Sequence, residues 1–268
     1  IAGYNYGIYR YKHDLKKYPG RLILGSETFC NDAYKFREMA KTNPRLVGDF
    51  VWAGIDYLGE VMVGSWEYSD YAKNFNGELG WVSAGSGRVD LTGKPLCEAL
   101  YTRVAFEQEM GPFIGVCPVN HTNDRHSPSA WKMSNALESW SFGGCDGSKA
   151  NVEVYARAAR VDLFVNGKQV GSKQLKNDCI ARFSCTYESG SIEAVSYDTD
   201  KNKITKPLER GMIQLTVEGG KLEAFGNACP YNELGYLGNK AETYYGEALA
   251  IVRAGDENEI RITAFDGN

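Results

Sequence analysis

Residues 21–28, with the sequence RLILGSET, decide the fold class of the first part of the chain. The apolar run at 21–25 is short and ends at a glycine, which is typical of a fully buried parallel strand. A second apolar run, residues 46–52, lies between Pro44 and Gly54. The chain itself opens on IAGYNY, which is typical of a buried strand that continues into a Tyr-rich loop. Three predicted strands therefore lie before Gly54.

Helical segments separate these strands. Residues 9–18 carry charges and predict a helix or helical turn, and residues 31–41 place Ala33, Phe36 and Ala40 at helical spacing. The order strand, helix, strand, helix, strand predicts βα units with a parallel sheet. Three strands are too few for a stable parallel sheet with both faces covered, so we expect further strands upstream of this sequence.

The character of the chain changes twice after these units. Residues 64–95 are rich in Gly, Asn, Ser and Trp, which predicts a long ordered loop over the mouth of the fold. Residues 96–109 predict a helix that ends before Gly111 and Pro112. Short alternating runs then follow at 151–156, 160–165, 191–197, 212–217, 249–252 and 259–263, with a type I′ hairpin predicted at Asn166-Gly167. Such closely spaced strands indicate antiparallel sandwiches of immunoglobulin type.

Composition excludes several classes of protein. The net charge of -4 and the pI of about 5.6 argue against a nucleic-acid partner, because phosphate binding needs clustered Lys and Arg. No apolar stretch approaches the roughly 20 residues that a membrane helix needs, so we predict no membrane contact. Only three histidines occur, which argues against a His-based metal site, and we predict no metal and no cofactor. The sequence leaves a cytoplasmic and a periplasmic location open.

The seven cysteines form no Cys-x-x-Cys pair. We expect reduced, mostly buried thiols, because a disulfide framework is unusual in a chain of this length. Cys179 and Cys185 have the spacing of residues that could meet across a hairpin.

Glu27 is the most informative position, because it lies just past the predicted carboxyl end of a buried strand. In a βα barrel active sites form at that edge, where a carboxylate can act as nucleophile, base or metal ligand. The alternative is a glutamate that caps the following helix, since acids favour helix amino termini.

Tyr6 and Trp52 follow the two neighbouring strands, so they should project from the same face as Glu27. A Tyr hydroxyl beside a Glu can hold the carboxylate ionised and oriented. A Trp face can stack on the apolar side of a sugar ring. The alternative for each aromatic residue is core packing.

Three segments carry a family resemblance: residues 3–6 (GYNY), 23–28 (ILGSET) and 50–60 (FVWAGIDYLGE). Together they resemble the last three barrel strands of glycoside hydrolase family 2, the β-galactosidase group, in order and at compatible spacing. Residues 162–171 (DLFVNGKQVG) resemble the sandwich that follows that barrel. Residues 221–228 and 244–254 resemble the last immunoglobulin-like module of such enzymes.

The resemblance implies a multidomain chain with three parts. Residues 1–112 would be the carboxy-terminal remnant of a (β/α)8 catalytic barrel. Residues 113–205 would form an immunoglobulin-like β-sandwich. Residues 206–268 would form a second sandwich of the same type, which is short for a whole sandwich and so is either incomplete or completed by its neighbour.

The resemblance also implies a retaining glycosidase acting on a carbohydrate substrate. Glu27 matches the nucleophile, Tyr6 the tyrosine beside it and Trp52 an aromatic residue of the substrate pocket. We add Asn5 and Asp56 as predicted substrate-binding residues. Asp56, together with Tyr57 and Glu60, has an open alternative, which is to anchor the long loop.

The chain departs from the family at the second carboxyl. The family's general acid/base is a Glu preceded by Asn on an upstream strand, and Asn232-Glu233 lies in the wrong region to replace it. We therefore expect a carboxy-terminal part of a larger enzyme, inactive in isolation. Residues 1–112 hold no Asn-x-Lys, the motif by which β-glucuronidases of this family hold the sugar carboxylate, so terminal β-galactosides are favoured over β-glucuronides or other β-glycosides.

Two other functions stay open at this point. A non-catalytic carbohydrate-binding or accessory module would use exposed Trp66, Trp81, Trp131 and Trp140 as sugar platforms. An assembly role, in which the sandwiches hold a homo-oligomer of the full-length enzyme together, is compatible with the glycosidase hypothesis.

Overall fold

A computed structural model of the chain describes residues 1–58, 63–69, 83–127, 129–201 and 203–204, and further strands of the last part at 213–218, 223–224, 250–251 and 259–264. Glu60, Tyr71, Trp81, Cys229 and the pair Asn232-Glu233 lie outside the described residues.

The first part of the chain contains a three-stranded parallel sheet, as predicted. Its strands are β1 (Ala2–Asn5), β2 (Ile23–Thr28) and β3 (Leu46–Val51), in the order β1-β2-β3. Helix α1 (Tyr11–Lys17) and helix α2 (Ala33–Thr42) connect them, each preceded by a short 3-10 helix. Strand β2 runs further than the predicted 21–25, so Glu27 lies within its last two residues and not past its end.

The two faces of this sheet differ in burial. One face packs on the helices through a core of Ile8, Tyr11, Leu15, Ile23, Phe36, Met39 and Leu46. On β3, the side chains of Val47 and Phe50 are exposed, by 46% and 62%. The buried face explains why the run at 21–25 and the spacing at 31–41 were informative, because each supplies side chains to the same core.

Helix α3 (Cys97–Ala105) follows the long loop and is shorter than the predicted 96–109. It ends where the backbone leaves the helical region, since Glu107 adopts a φ of 63°. Beyond it, Gly111 has a φ of 73° and the Gly111–Pro112 peptide is cis.

The middle part is built of two three-stranded antiparallel sheets. The first has the order β4 (Phe113–Val116), β5 (Lys149–Tyr155), β8 (Ile180–Thr186), and the second has β7 (Lys168–Gln174), β6 (Arg160–Val165), β9 (Ile192–Tyr197). Side chains from both sheets share one buried core that includes Val152, Val154, Val161, Leu163, Phe183 and Ile192. The predicted hairpin is confirmed, with φ of 50° at Asn166 and 75° at Gly167.

The hairpin predicted for Cys179 and Cys185 is wrong. Strand β8 runs between the two residues and carries Cys185, so extended backbone holds their side chains apart. The six described cysteines are free, and Cys30, Cys97, Cys145 and Cys179 are buried, as expected.

The last part contains two pairs of antiparallel strands. Strand β10 (Ile213–Glu218) pairs with β13 (Glu259–Ala264), and β11 (Glu223–Ala224) pairs with β12 (Ala250–Ile251). The runs predicted at 212–217, 249–252 and 259–263 coincide with three of these strands. Their assignment to a second sandwich stays a prediction.

The helices and the first antiparallel sheet share a core of their own. It contains Ala33, Leu100, Tyr101 and Val104 from the helices, and Tyr155 and Ile180 from the sheet. Arg157, just after β5, adds polar contacts: Nε donates to the carbonyl of Val104 at 3.1 Å, Nη2 donates to that of Ala105, and Nη1 pairs with Glu38 at 2.8 Å. These contacts fix the parallel sheet and its helices to the sandwich.

Among the described residues, we find no helix with the length and apolar character needed to cross a membrane.

Candidate active site

The predicted site residues meet at the carboxyl edge of the parallel sheet. Asn5 is the register partner of Glu27, and the Tyr6 amide donates to the Glu27 carbonyl at 2.7 Å. The Trp52 amide donates to the Thr28 carbonyl at 3.0 Å. Backbone hydrogen bonds therefore hold the starts of the loops after β1 and β3 against the end of β2, which places Asn5, Tyr6 and Trp52 around Glu27.

Tyr6 has an unusual backbone conformation. Its φ of 53° lies in the left-handed region, which is an outlier for a bulky residue. Tyr6 is held by the hydrogen bond from its backbone amide to the Glu27 carbonyl and by stacking on the ring of Phe29. The two ring centroids are 4.2 Å apart, and the ring planes differ by 22°. Backbone strain of this kind costs on the order of 1–3 kcal/mol and concentrates at functional sites.

The Tyr6 hydroxyl lies between two polar neighbours. Trp131 Nε1 donates to it at 2.8 Å, and the Glu27 carboxylate lies close enough to raise its pKa. Burial raises the pKa of Tyr6 to about 12, the bond from Trp131 opposes this rise, and the Glu27 carboxylate adds to it. Tyr6 is therefore protonated at neutral pH and can donate to Glu27.

Asn5 contributes a polar side chain to the same edge. Its Oδ1 accepts a hydrogen bond from the Ser26 hydroxyl at 2.9 Å, on the exposed side of the sheet. This bond leaves the Asn5 amide nitrogen as the donor that can face a ligand.

Trp52 forms an exposed aromatic wall beside the sheet edge. Its side chain is 36% exposed, and its ring meets that of Tyr57 edge to face at 6.0 Å. The peptide between Trp52 and Ala53 is cis. An exposed indole face of this kind is suited to stacking on a sugar ring.

Asp56 makes the contacts of a loop anchor. Its carboxylate accepts hydrogen bonds from the backbone amides of Gly85 at 3.2 Å and Gly87 at 3.4 Å. A Cβ at Gly87 would lie 2.2 Å from the Asp56 nitrogen, so the two chain segments touch through their backbones. These bonds favour the anchoring alternative, and direct contact with substrate stays a prediction.

Trp66, Trp131 and Trp140 are not the exposed platforms that a binding module would use. Trp140 is buried in the sandwich core, Trp131 is half-buried with its indole nitrogen bonded to Tyr6, and half-buried Trp66 stacks on His126 at 3.9 Å. The prediction of exposed sugar platforms is therefore wrong for these three residues. Sequence reasoning also missed Trp131 and Phe29 as members of the site.

Two further observations concern metal ligands and cavities among the described residues. Within the described ranges, no cluster of three or more His, Cys, Asp or Glu side chains could hold a metal ion. A cavity of about 280 Å³ lies between α2, α3 and β8, lined by residues that include Tyr34, Lys35 and Arg182, but by none of the predicted site residues. The sheet edge itself brings together a carboxylate, a neighbouring tyrosine hydroxyl and an exposed tryptophan.

Comparisons with known proteins fall into one enzyme group. A family model described as a domain of unknown function, DUF4982, matches residues 147–205, which span β5 to β9. A candidate β-glucuronidase of Formosa agariphila is 25% identical over 223 residues, or 75% of this chain and 18% of that protein. A β-galactosidase of Bacteroides ovatus is 24% identical over 196 residues, or 70% of this chain and 19% of its own length.

Solved structures agree with these relatives. A glycosyl hydrolase family 2 member from Bacteroides cellulosilyticus is 26% identical with a TM-score of 0.64, and the match covers 85% of this chain and 30% of that chain. A second member from that species, 24% identical with a TM-score of 0.57, shows the same fold over 85% of this chain and 28% of its own. The chain thus spans about a fifth of the length of the curated relatives that it matches.

Proposed function

Because this chain resembles the carboxy-terminal part of a glycoside hydrolase family 2 enzyme in sequence and fold, we propose that it belongs to a retaining β-glycoside hydrolase. The relatives are named as β-glycosidases, which supports a carbohydrate substrate. The observation that carries the proposal is the position of Glu27 at the carboxyl edge of the parallel sheet, near the Tyr6 hydroxyl and next to the strand end at which Trp52 follows β3. On this proposal the sheet is the last part of a (β/α)8 barrel.

Glu27 is the proposed nucleophile. Its carboxylate attacks the anomeric carbon while the bond to the leaving oxygen breaks, and a covalent glycosyl-enzyme ester forms. A second carboxyl, about 5–5.5 Å away in retaining enzymes, protonates the leaving oxygen and then deprotonates the water that hydrolyses the ester. We assign that second carboxyl to a part of the full-length protein outside these 268 residues.

The neighbours of Glu27 support these steps. Tyr6 keeps its proton and can donate it in a hydrogen bond to the carboxylate, which would orient Glu27 toward the sugar. Trp52 supplies an apolar face for the ring, and Asn5 supplies a polar contact for a hydroxyl group. Asp56 contributes indirectly, because its hydrogen bonds to the Gly85 and Gly87 amides hold in place the loop segments beside the substrate.

We propose a terminal β-galactoside as the substrate. The absence of an Asn-x-Lys motif from residues 1–112 favours a neutral sugar over a uronic acid. A β-glucuronide is the second candidate, because one curated relative is named for that activity and another for β-galactosides. Parallel assays on the two aryl glycosides separate these alternatives.

The deciding experiment replaces the proposed nucleophile in the full-length protein. Glu27→Gln keeps the shape of the side chain but removes its charge, so turnover of aryl β-glycosides should fall by on the order of 10⁴-fold or more. Glu193→Gln on the exposed side of β9 is the matched control and should retain wild-type turnover. Normal turnover in Glu27→Gln would refute the assignment.

Covalent trapping gives a second test. A 2-deoxy-2-fluoro glycoside with a good leaving group should label the peptide that contains Glu27, and mass spectrometry would locate the label. The isolated 268-residue chain should not turn over aryl glycosides, since an absent general acid alone costs about 10²–10⁴-fold. Full activity of the isolated chain would place the acid/base within it.

A further inference from the structure

We propose that Trp131 is a positioning residue for the pair of Tyr6 and Glu27, so that the segment between β4 and β5 completes a site otherwise built on the parallel sheet. This inference rests on the proposed function, because it assigns Trp131 a part in orienting the proposed nucleophile. The contact joins residues 125 positions apart in the chain.

The bond from Trp131 limits where the hydroxyl proton of Tyr6 can point. An indole N–H can only donate, so in the 2.8 Å bond the Tyr6 oxygen is the acceptor. The phenol has a single proton, and the lone pair that faces Trp131 is occupied. The oxygens of a carboxylate can only accept, so the Tyr6 proton is left free for a hydrogen bond to the neighbouring Glu27. Trp131 thereby selects the donor arrangement that the nucleophile needs.

Trp131 also affects the strength of the Tyr6 hydroxyl as a hydrogen-bond donor. The bond from Trp131 lowers the pKa of Tyr6, against the larger effect of burial and the opposing effect of Glu27. A more acidic hydroxyl forms a stronger hydrogen bond with a carboxylate, and bonds to charged groups are roughly twice as strong as neutral ones.

Ring contacts reinforce the arrangement. Trp131 meets Tyr6 edge to face at 6.2 Å and Phe29 at 6.0 Å, while Tyr6 and Phe29 stack at 4.2 Å. The three rings form a closed cluster around the left-handed Tyr6 backbone. Such aromatic contacts fix the angle of the phenol as well as its position.

The segment that carries Trp131 is itself held on both sides. Lys132 forms a well-buried ion pair with Glu98 of α3 at 3.3 Å, and the Ser134 amide donates to the same carboxylate at 3.4 Å. On the other side, the Ser129 hydroxyl donates to the Val63 carbonyl at 2.9 Å. The indole is therefore presented to Tyr6 from a fixed backbone, as a positioning role requires.

Trp140 provides the contrast and the matched control. Its indole nitrogen also donates a hydrogen bond, to the Glu188 carbonyl at 3.0 Å, but the side chain lies in the sandwich core. Replacing either Trp by Phe removes one indole donor and keeps an aromatic ring. Only the Trp131 donor faces the proposed active site.

The experiment measures the pH dependence of kcat/KM in the full-length protein, with a 2,4-dinitrophenyl β-glycoside as the probe. This leaving group needs no general acid, so the acidic limb of the profile reports the ionisation that the nucleophilic step requires. Trp131→Phe should lower kcat/KM about three- to tenfold, the loss expected from one hydrogen bond, and should move the acidic limb to higher pH. Trp140→Phe should leave that limb in place.

A double-mutant cycle separates positioning from general destabilisation. In the Tyr6→Phe background the Trp131→Phe change should have no further effect on kcat/KM, because the hydroxyl through which it acts is gone. Independent, multiplicative losses in the double variant would overturn the inference. So would an acidic limb in Trp131→Phe that coincides with that of the wild type.

The failure of the inference differs from the failure of the proposed function. If Glu27→Gln abolishes turnover and Trp131→Phe behaves as Trp140→Phe does, Glu27 keeps its role and the positioning role of Trp131 is refuted. If Glu27→Gln retains normal turnover, the nucleophile assignment falls and the inference falls with it.

Discussion

Replacing Arg157 by Ala should loosen the junction between the parallel-sheet region and the sandwich. The guanidinium is only 13% exposed, and it reaches the carbonyls of Val104 and Ala105 in the last turn of α3 and the carboxylate of Glu38 on α2. It also lies 4.6 Å from the ring centroid of Tyr34. One side chain therefore caps one helix and pairs with another.

The size of the effect follows from these contacts. A hydrogen bond to a charged group contributes about 1.5–3 kcal/mol, and truncation leaves the two carbonyls of α3 without this donor. The pair with Glu38 adds little, because Glu38 is 38% exposed and exposed pairs contribute about 0–1 kcal/mol. Since such losses are not additive, we expect Arg157→Ala to lower the free energy of unfolding by about 3 kcal/mol. In a protein of this size that corresponds to roughly 6–12 °C in Tm.

Scanning calorimetry of the wild type and two variants tests this value. Arg182→Ala is the matched control, because the Arg182 side chain is 56% exposed where it pairs with Glu153 and Asp178, whereas that of Arg157 is 13% exposed. That variant should lose less than about 1 kcal/mol. A Tm for Arg157→Ala equal to that of Arg182→Ala would show that the buried guanidinium does not hold the two parts together.

Two further predictions concern the loop anchor and a buried carboxylate. Gly87→Ala should lower kcat/KM of the full-length enzyme at least about tenfold, because the new Cβ would meet the Asp56 backbone at 2.2 Å and displace the loop after β3. Gly20→Ala is the control and should leave kcat/KM unchanged, because the space around Gly20 is open. Equal kcat/KM for the two variants would contradict the anchoring role. The pKa of Asp14 is lowered chiefly by the hydrogen bond from Tyr4, then by His13 and Arg10. Ionised Asp14 therefore stabilises the fold at pH values above its unfolded pKa of about 3.9. This stabilisation is lost as the pH falls toward the lower pKa of the folded state. Thermal unfolding between pH 6 and about pH 2 should therefore show a steeper fall in Tm for the wild type than for Asp14→Asn, and parallel curves would refute this.

Local patterns predicted most of the secondary structure, because each pattern reports burial of one face. The alternation at 151–156 and 160–165 and the Asn166-Gly167 turn appear in β5, β6 and the hairpin to β7. Strand β4 was missed because four residues are too few to show a period. Strand β8 alternates as well from Ala181 onward, with Ala181 and Phe183 buried and Arg182 and Ser184 exposed, but the two cysteines near its ends suggested a hairpin instead.

The site was predictable only where it follows from strand order. Parallel strands bring their carboxyl ends to one edge, so Asn5, Glu27 and Trp52 could be grouped from sequence alone. The contact between Trp131 and Tyr6 could not, because no periodicity links segments 125 residues apart. The two alternatives for Asp56 could not be separated either, since its amide partners lie 29 and 31 residues downstream in an irregular loop.

On our proposal, the nucleophile depends on parts of the chain that do not belong to the parallel sheet. Glu98 of α3 contacts Lys132 and Ser134, the same segment carries Trp131, and the Trp131 indole donates to the Tyr6 hydroxyl. The contacts of Glu98 with Lys132 and Ser134 join elements that also share a hydrophobic core. If the chain of contacts operates as proposed, a change at Glu98 should alter the pH profile through Trp131 while leaving the sheet edge itself intact. The sandwich region would then be a structural part of the catalytic site and not only an appendage to it.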